Sequence, residues 1–211
     1  MNLPNKITVF RMAMVVVIWL TMLFPYSSLG IEVPYIFGEV NLVYFIVFWL
    51  FVVASFSDFL DGHIARKYNL VTNFGKFMDP IADKLLVDGL LIILLVPSIT
   101  PADASIQMAI PVIATLIMIA RDLIVDVIRL IAASQNRILA ANIFGKIKTV
   151  LQMVAIPLVL LNDWPFVLFD GEINIALIVV YLATLASLLS GIIYVYQNRD
   201  VLREPNKHER K

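Results

Sequence analysis

All sixteen lysines and arginines of this chain gather at four places, separated by long apolar runs. They are the N-terminus, the stretch Arg66–Lys84, the stretch Arg121–Lys148 and the tail beyond Gln197. The intervening polar loops carry only acids: Glu32 and Glu39, then Asp103, then Asp163, Asp170 and Glu172. Basic residues that return to the same side after every second apolar run mark a chain that crosses a bilayer repeatedly. The apolar runs number six, each about 17–25 residues, which suits a hydrocarbon core of about 30 Å.

The expected architecture is therefore all-α: six transmembrane helices, preceded by a short N-terminal amphipathic segment, Met1–Arg11. Hydrophobic residues make up 61% of the 211, above the roughly half usual in soluble domains. The chain reads as a single membrane domain, 1–211. The spans are expected from the N-terminal run to Phe24, from Asn41 into the acidic stretch, and from there to Val96. The next three are expected from Ser105 to Ala133, from Gly145 to Leu161, and from Ile173 to Tyr196. The positive-inside rule puts both termini and the acidic stretch in the cytoplasm, in the cell membrane. A secretory signal peptide is the rival reading of the first run, but further spans follow it and Ser28-Leu29-Gly30 is a poor cleavage site.

The acidic stretch runs from Asp58 to Asp83. Asp58 and Asp61 are three apart on a helix, with Gly62 and Ala65 on the same face. Gly75, Asp79 and Asp83 repeat every four residues, again on one face. Folding the second helix back along the first brings four carboxylates around a hollow. Unpaired acids beside lipid-compatible sequence are costly, and hard divalent cations with oxygen ligands remove the repulsion. Gly62, Ala65 and Gly75 leave room for a ligand against the backbone. Pro80 is accommodated if it lies in the first turn of its helix. The competing reading is an acidic loop in water, which needs no such helical phase. With no cysteine, disulfides and thiolate metal sites are excluded, and His63 and His208 are the two imidazoles.

A second, basic group follows. Arg121 and Arg129 share a broad helix face, set down here as buried, and Arg137, Lys146 and Lys148 come after them. Guanidinium forks and ammonium charges suit a phosphate, so this group reads as the pocket for a phosphorylated acceptor. Pairing with Asp122 and Asp126, or snorkelling to lipid headgroups, is the competing reading.

The pattern Asp58-x-x-Asp61-Gly62-x-x-Ala65-Arg66, then Gly75-x-x-x-Asp79-x-x-x-Asp83, resembles the signature of the CDP-alcohol phosphatidyltransferases at every fixed position. Asn5, Thr8 and Arg11 resemble an N-terminal P-N-x-[IL]-T-x-x-R segment found in several of them, which in that family lies near the nucleotide. Arg121-Asp122-x-x-Val125-x-x-x-Arg129, with Ala140-Ala141-x-x-x-Gly145-Lys146-x-Lys148-Thr149, resembles the phosphatidylglycerophosphate synthase branch. That branch more often carries Glu at the position of Asp122 and a small residue at that of Asp126.

The resemblance implies an enzyme that moves a phosphatidyl group from CDP-diacylglycerol to sn-glycerol 3-phosphate. It implies two divalent cations, Mg²⁺ or Mn²⁺, on Asp58, Asp61, Asp79 and Asp83, with Asp83 also the general base. Asn5, Thr8, Gly62, Ala65, Arg66 and Gly75 would then meet the nucleotide donor, and Arg121, Arg129, Lys146 and Lys148 the acceptor phosphate. Expected partners are these substrates and membrane lipids, with no nucleic acid. Members of the family often form homodimers, and no interface is visible in the sequence. Phosphatidylglycerol or inositol phosphate as acceptor would keep the acidic site and change the basic one. A cation-coupled transporter would show internal symmetry, and the acidic motif has no second copy.

Overall fold

A computed structural model describes residues 3–36, 40–68, 72–95, 108–137, 139–140, 142–168 and 174–202. Six helices dominate it: α1 (Leu3–Leu23), α2 (Leu42–Lys67), α3 (Asn73–Ile93), α4 (Val112–Ser134), α5 (Ile143–Leu160) and α6 (Ile175–Gln197). The amphipathic start is not a separate element, because its residues from Leu3 onward form the first turns of α1. Between α1 and α2, Tyr35–Ile36 (β1) pairs antiparallel with Val40–Asn41 (β2), a ladder the apolar pattern gives no hint of. Asn41 then caps α2, its Oδ1 accepting from the Val43 amide at 2.9 Å.

Among the described residues, three helices, α1 from Asn5 onward, α5 and α6, are long and apolar enough to cross a membrane. The apolar part of α2, among the described residues, is Leu42–Asp58.

The helix starts explain the differences from expectation. Thr72, in extended conformation, caps α3 through a bond from the Gly75 amide to its Oγ1 at 3.1 Å. α3 therefore begins at Asn73, and Pro80 lies inside it rather than in the first turn. The ring removes the N–H that the carbonyl of residue 76 would otherwise receive. α4 begins at Val112 instead of near Ser105: its N-cap is Pro111, at φ −58° and ψ 133°, and proline keeps the residue before it out of the helical region. Residues 108–110 are not helical, and 101–107 lie outside the described residues. Asp163 caps α6: its Oδ2 accepts from the Ile175 amide at 3.0 Å and its Oδ1 from the Ala176 amide at 2.8 Å.

The chain divides into two compact units, Met1–Ile110 with Ala155–Leu177, and Pro111–Val154 with Ile178–Lys211. In the first unit, side chains along α1 meet α3 in rising order: Asn5 with Thr72, Thr8 with Asp79. Further up, Trp19 lies so close to Gly89 that an added Cβ would stand 2.5 Å from its Nε1. The two helices therefore run in the same direction, with α2 returning between them in the chain. Val15, Ile18 and Met22 of α1, Val47 and Phe51 of α2, and Leu86 and Leu90 of α3 are buried core.

In the second unit, α4 and α6 also pair in rising order: Arg121 with Ser190, and Arg129 with Tyr194. Beyond the helices, Gln135 donates to the Val201 carbonyl in the same order. Val125, Ile128 and Tyr194 form the core here, with Leu139 and Val195 against them.

Candidate active site

Arg11 is the centre of the acidic site. It stands in a largely apolar helix and is fully buried. One terminal nitrogen pairs with Asp58 of α2, and Nη2 stands 3.3 Å from Oδ1 of Asp79 on α3. Thr8, one turn earlier, donates to the same Asp79 oxygen at 2.9 Å. Asn5, a further turn back, accepts from Thr72 Oγ1 at 2.6 Å. The i, i+3, i+6 series on α1 thus touches the cap of α3 and then its acid.

Asp58 and Asp79 keep 44% and 41% of their side chains exposed, although their shared partner has almost none. Their carboxylates therefore converge from two helices within the span of one guanidinium and stay open to solvent. Such a pair of hard oxygen donors suits Mg²⁺ or Mn²⁺. Among the described residues, no group of three or more His, Cys, Asp or Glu side chains gathers as a metal cage. The side chain of Asp61 lies outside the described ones, as do those of Ala65 and Arg66. Asp83 follows Asp79 by one turn on α3 and is partly buried. At Gly75 an added Cβ would meet Thr72 Oγ1, Asp79 Oδ2 and Asn5 Oδ1 at 3.4, 3.6 and 3.8 Å. Its missing side chain is the space between those three groups. Gly62 is partly exposed near the end of α2.

The basic group lies in the second unit. Asp122 bridges two cations, accepting from Arg121 at 2.8 Å and from Lys148 Nζ at 2.5 Å. Arg121 also donates to Ser190 Oγ at 2.5 Å. Glycines make this close fit possible. A Cβ at Gly145 would come within 3.1 Å of Arg121 Nη2, and one at Gly191 within 2.8 Å of its Cγ. Lys148 is 5% exposed, so its charge is held by Asp122 rather than by water. Arg129 is exposed, contrary to expectation; its Nε donates to the Tyr194 hydroxyl at 3.2 Å and its guanidinium lies 5.6 Å from that ring centre. Lys146 is exposed and outside this cluster. Ala140 is exposed, and Ala141 lies outside the described residues.

The sequence gives no role to Thr72, Ser190 or Tyr194, and places Arg11 only in a segment that resembles one near the nucleotide. Its place within a largely apolar run is a further signal for Arg11. Ser190 and Tyr194 carry no local signature, because their partners come from a distant helix; Thr72 had the local signal of an N-cap threonine three residues before Gly75.

The profile of the CDP-alcohol phosphatidyltransferase family matches residues 1–192, nearly the whole chain. The chain belongs to the CDP-alcohol phosphatidyltransferase family. Among members of this family, a Bacillus subtilis protein is 38% identical over 207 residues, covering 97% of this chain and 99% of its own. A Rickettsia bellii protein is 38% identical over 162 residues, 77% of this chain and 76% of its own. A Mycoplasma genitalium protein is 34% identical over 161 residues, 74% and 63% respectively. All three bear the name CDP-diacylglycerol–glycerol-3-phosphate 3-phosphatidyltransferase.

Proposed function

We propose that this protein transfers the phosphatidyl group of CDP-diacylglycerol to sn-glycerol 3-phosphate, giving phosphatidylglycerophosphate and CMP. The observation that carries this reading is the end-to-end similarity to a relative of that name, at 38% identity over 97% of the chain. The convergence of Asp58 and Asp79 on Arg11 supports it, since it opens a pair of hard oxygen donors at the signature positions.

In this reading the acceptor hydroxyl attacks the phosphorus that carries the diacylglycerol. A new O–P bond forms, and the bond to the CMP oxygen breaks. Asp83 takes the hydroxyl proton. Asp58, Asp61, Asp79 and Asp83 would hold two divalent cations, which when bound neutralise the pyrophosphate and the departing CMP. Asn5 and Thr8 orient Thr72 and Asp79 at the donor site, where Gly62, Ala65 and Gly75 leave room and Arg66 meets the donor phosphates. Arg121, Arg129, Lys146 and Lys148 hold the acceptor phosphate, with Asp122 trimming the charge of the cluster so that one added anion is not overbalanced.

The same reading makes all six helices spans of one membrane domain. The parallel run of α1 with α3 and of α4 with α6 supports it, as an alternating bundle requires that order. The basic ends then face the cytoplasm. A homodimer is the assembly expected from the family.

The deciding experiment is a transfer assay with purified protein, labelled CDP-diacylglycerol and a panel of acceptors. Product with sn-glycerol 3-phosphate alone is the expected result. Product with phosphatidylglycerol or inositol phosphate instead would move the acceptor and leave the donor chemistry in place.

A further inference from the structure

On the second unit, α4 and α6 enclose a groove of about 560 Å³, within the range of small-molecule sites. Ile117 and Ile124 line it from α4, and Leu188, Ile192 and Tyr196 from α6. Gly191 forms its recess, where the absent side chain lets the stem of Arg121 lie flat against the helix. The Arg121 head is turned to Asp122 and Ser190, so the stem gives the groove apolar surface. At the end of α6 stands Arg199, exposed and stacked over the Tyr196 ring at 4.8 Å. No carboxylate is among the lining residues, and among the described residues none pairs with Arg199.

We propose that this groove holds an acyl chain of an anionic phospholipid from the surrounding membrane, with the lipid phosphate on Arg199. Three features select that occupant. The walls are apolar and belong to a helix pair that includes the span α6. The guanidinium sits just past the last turn of that span, at the depth where headgroups lie, stacked on a tyrosine of the kind that populates interfaces. Basic recesses between membrane helices select anionic headgroups, and Arg meets phosphate through a fork. The lining has no acid to share a cation with a pyrophosphate, so a simple phosphodiester fits it and a nucleotide-bearing donor does not.

The test uses the full chain, purified in dodecyl maltoside and stripped of lipid. Native mass spectrometry then measures retention of added dioleoylphosphatidylglycerol, dioleoylphosphatidylcholine and CDP-dioleoylglycerol. Ala120 lines the groove between Ile117 and Ile124, so Ala120→Phe places a ring in it and is expected to abolish retention of one phosphatidylglycerol per chain. Arg199→Gln is expected to weaken it about fivefold, the equivalent of the ~1 kcal/mol a basic residue contributes at a membrane surface. Both variants must melt like the parent in lipid-free detergent. Equal retention of phosphatidylcholine overturns the headgroup assignment. Loss of CDP-dioleoylglycerol alone in Ala120→Phe makes the groove part of the donor site and overturns the proposal. Conversion of a dimer to a monomer by Ala120→Phe, with lipid retention unchanged, assigns the face to a second copy and overturns it too.

Discussion

Nη2 of Arg11 stands 3.3 Å from Oδ1 of Asp79, while its other terminal nitrogen pairs with Asp58. A single buried cation therefore holds two carboxylates from different helices in one place before any metal is considered. Arg11 also ties α1 to both α2 and α3.

Removing that charge gives the first prediction. Arg11→Met leaves two facing carboxylates without a counterion. Losing one partner of a fully buried pair costs about 3–5 kcal/mol, and half-exposed acids reduce this to about 1–3 kcal/mol. The melting temperature in detergent with EDTA should fall. Added Mg²⁺ should raise it more than in the parent, because the cation now supplies the missing charge. An equal Mg²⁺ shift in both proteins would show that Arg11 and the metal do not share the acids.

Chelation is the second prediction. Excess EDTA should abolish transfer, and Mg²⁺ or Mn²⁺ should restore it. Asp61→Asn should need more Mg²⁺ for the same rate. Full transfer in EDTA would remove the metal from the mechanism.

The third separates base from ligand. Asp83→Asn keeps the size of the side chain but takes no proton. Transfer should drop by about 10²–10⁴-fold with donor binding retained. If binding of CDP-diacylglycerol is lost in step with rate, Asp83 is chiefly a ligand.

The fourth concerns the acceptor. Arg129→Ala should raise KM for sn-glycerol 3-phosphate and leave kcat near its parent value, as expected for a contact made equally in ground and transition states. An unchanged KM would leave Arg129 to its stacking on Tyr194 alone.

The fifth tests packing. Gly89→Ala puts a Cβ within 2.5–2.7 Å of the Trp19 ring and should cost about 1–3 kcal/mol. Trp19→Leu in the same chain should recover most of the loss. A melt unchanged by Gly89→Ala would contradict the close approach of α1 and α3.

How much of this was legible in the sequence depended on the range of the interaction. The shared faces of Asp58 with Asp61, and of Gly75 with Asp79 and Asp83, were legible because helical register is a local property. The helix starts were misjudged where a polar residue does more than solvate a loop. Thr72 caps α3, which puts Pro80 inside the helix, and Asp163, read as one more outer acid, caps α6. Arg11 carried a motif but no visible partner, since Asp58 and Asp79 reach it only through tertiary packing. The same holds for Asp122, which the sequence offered as a counter-ion to the basic group without showing which cations it meets. In the structure it is the shared counterion of Arg121 and Lys148.

The carboxylate of Asp163 has a consequence for how the chain enters its membrane. A segment sliding sideways out of a translocation channel meets hydrocarbon with its leading amides unmet, and each such amide resists partition. At the start of α6 two of those amides are already bonded to Asp163, twelve and thirteen residues earlier in the chain. Asp163 and the first turn of the helix can then leave the channel already bonded to each other. Asp163→Ala should slow membrane integration of the last segment in a cell-free insertion reaction, even though residue 163 takes no part in catalysis.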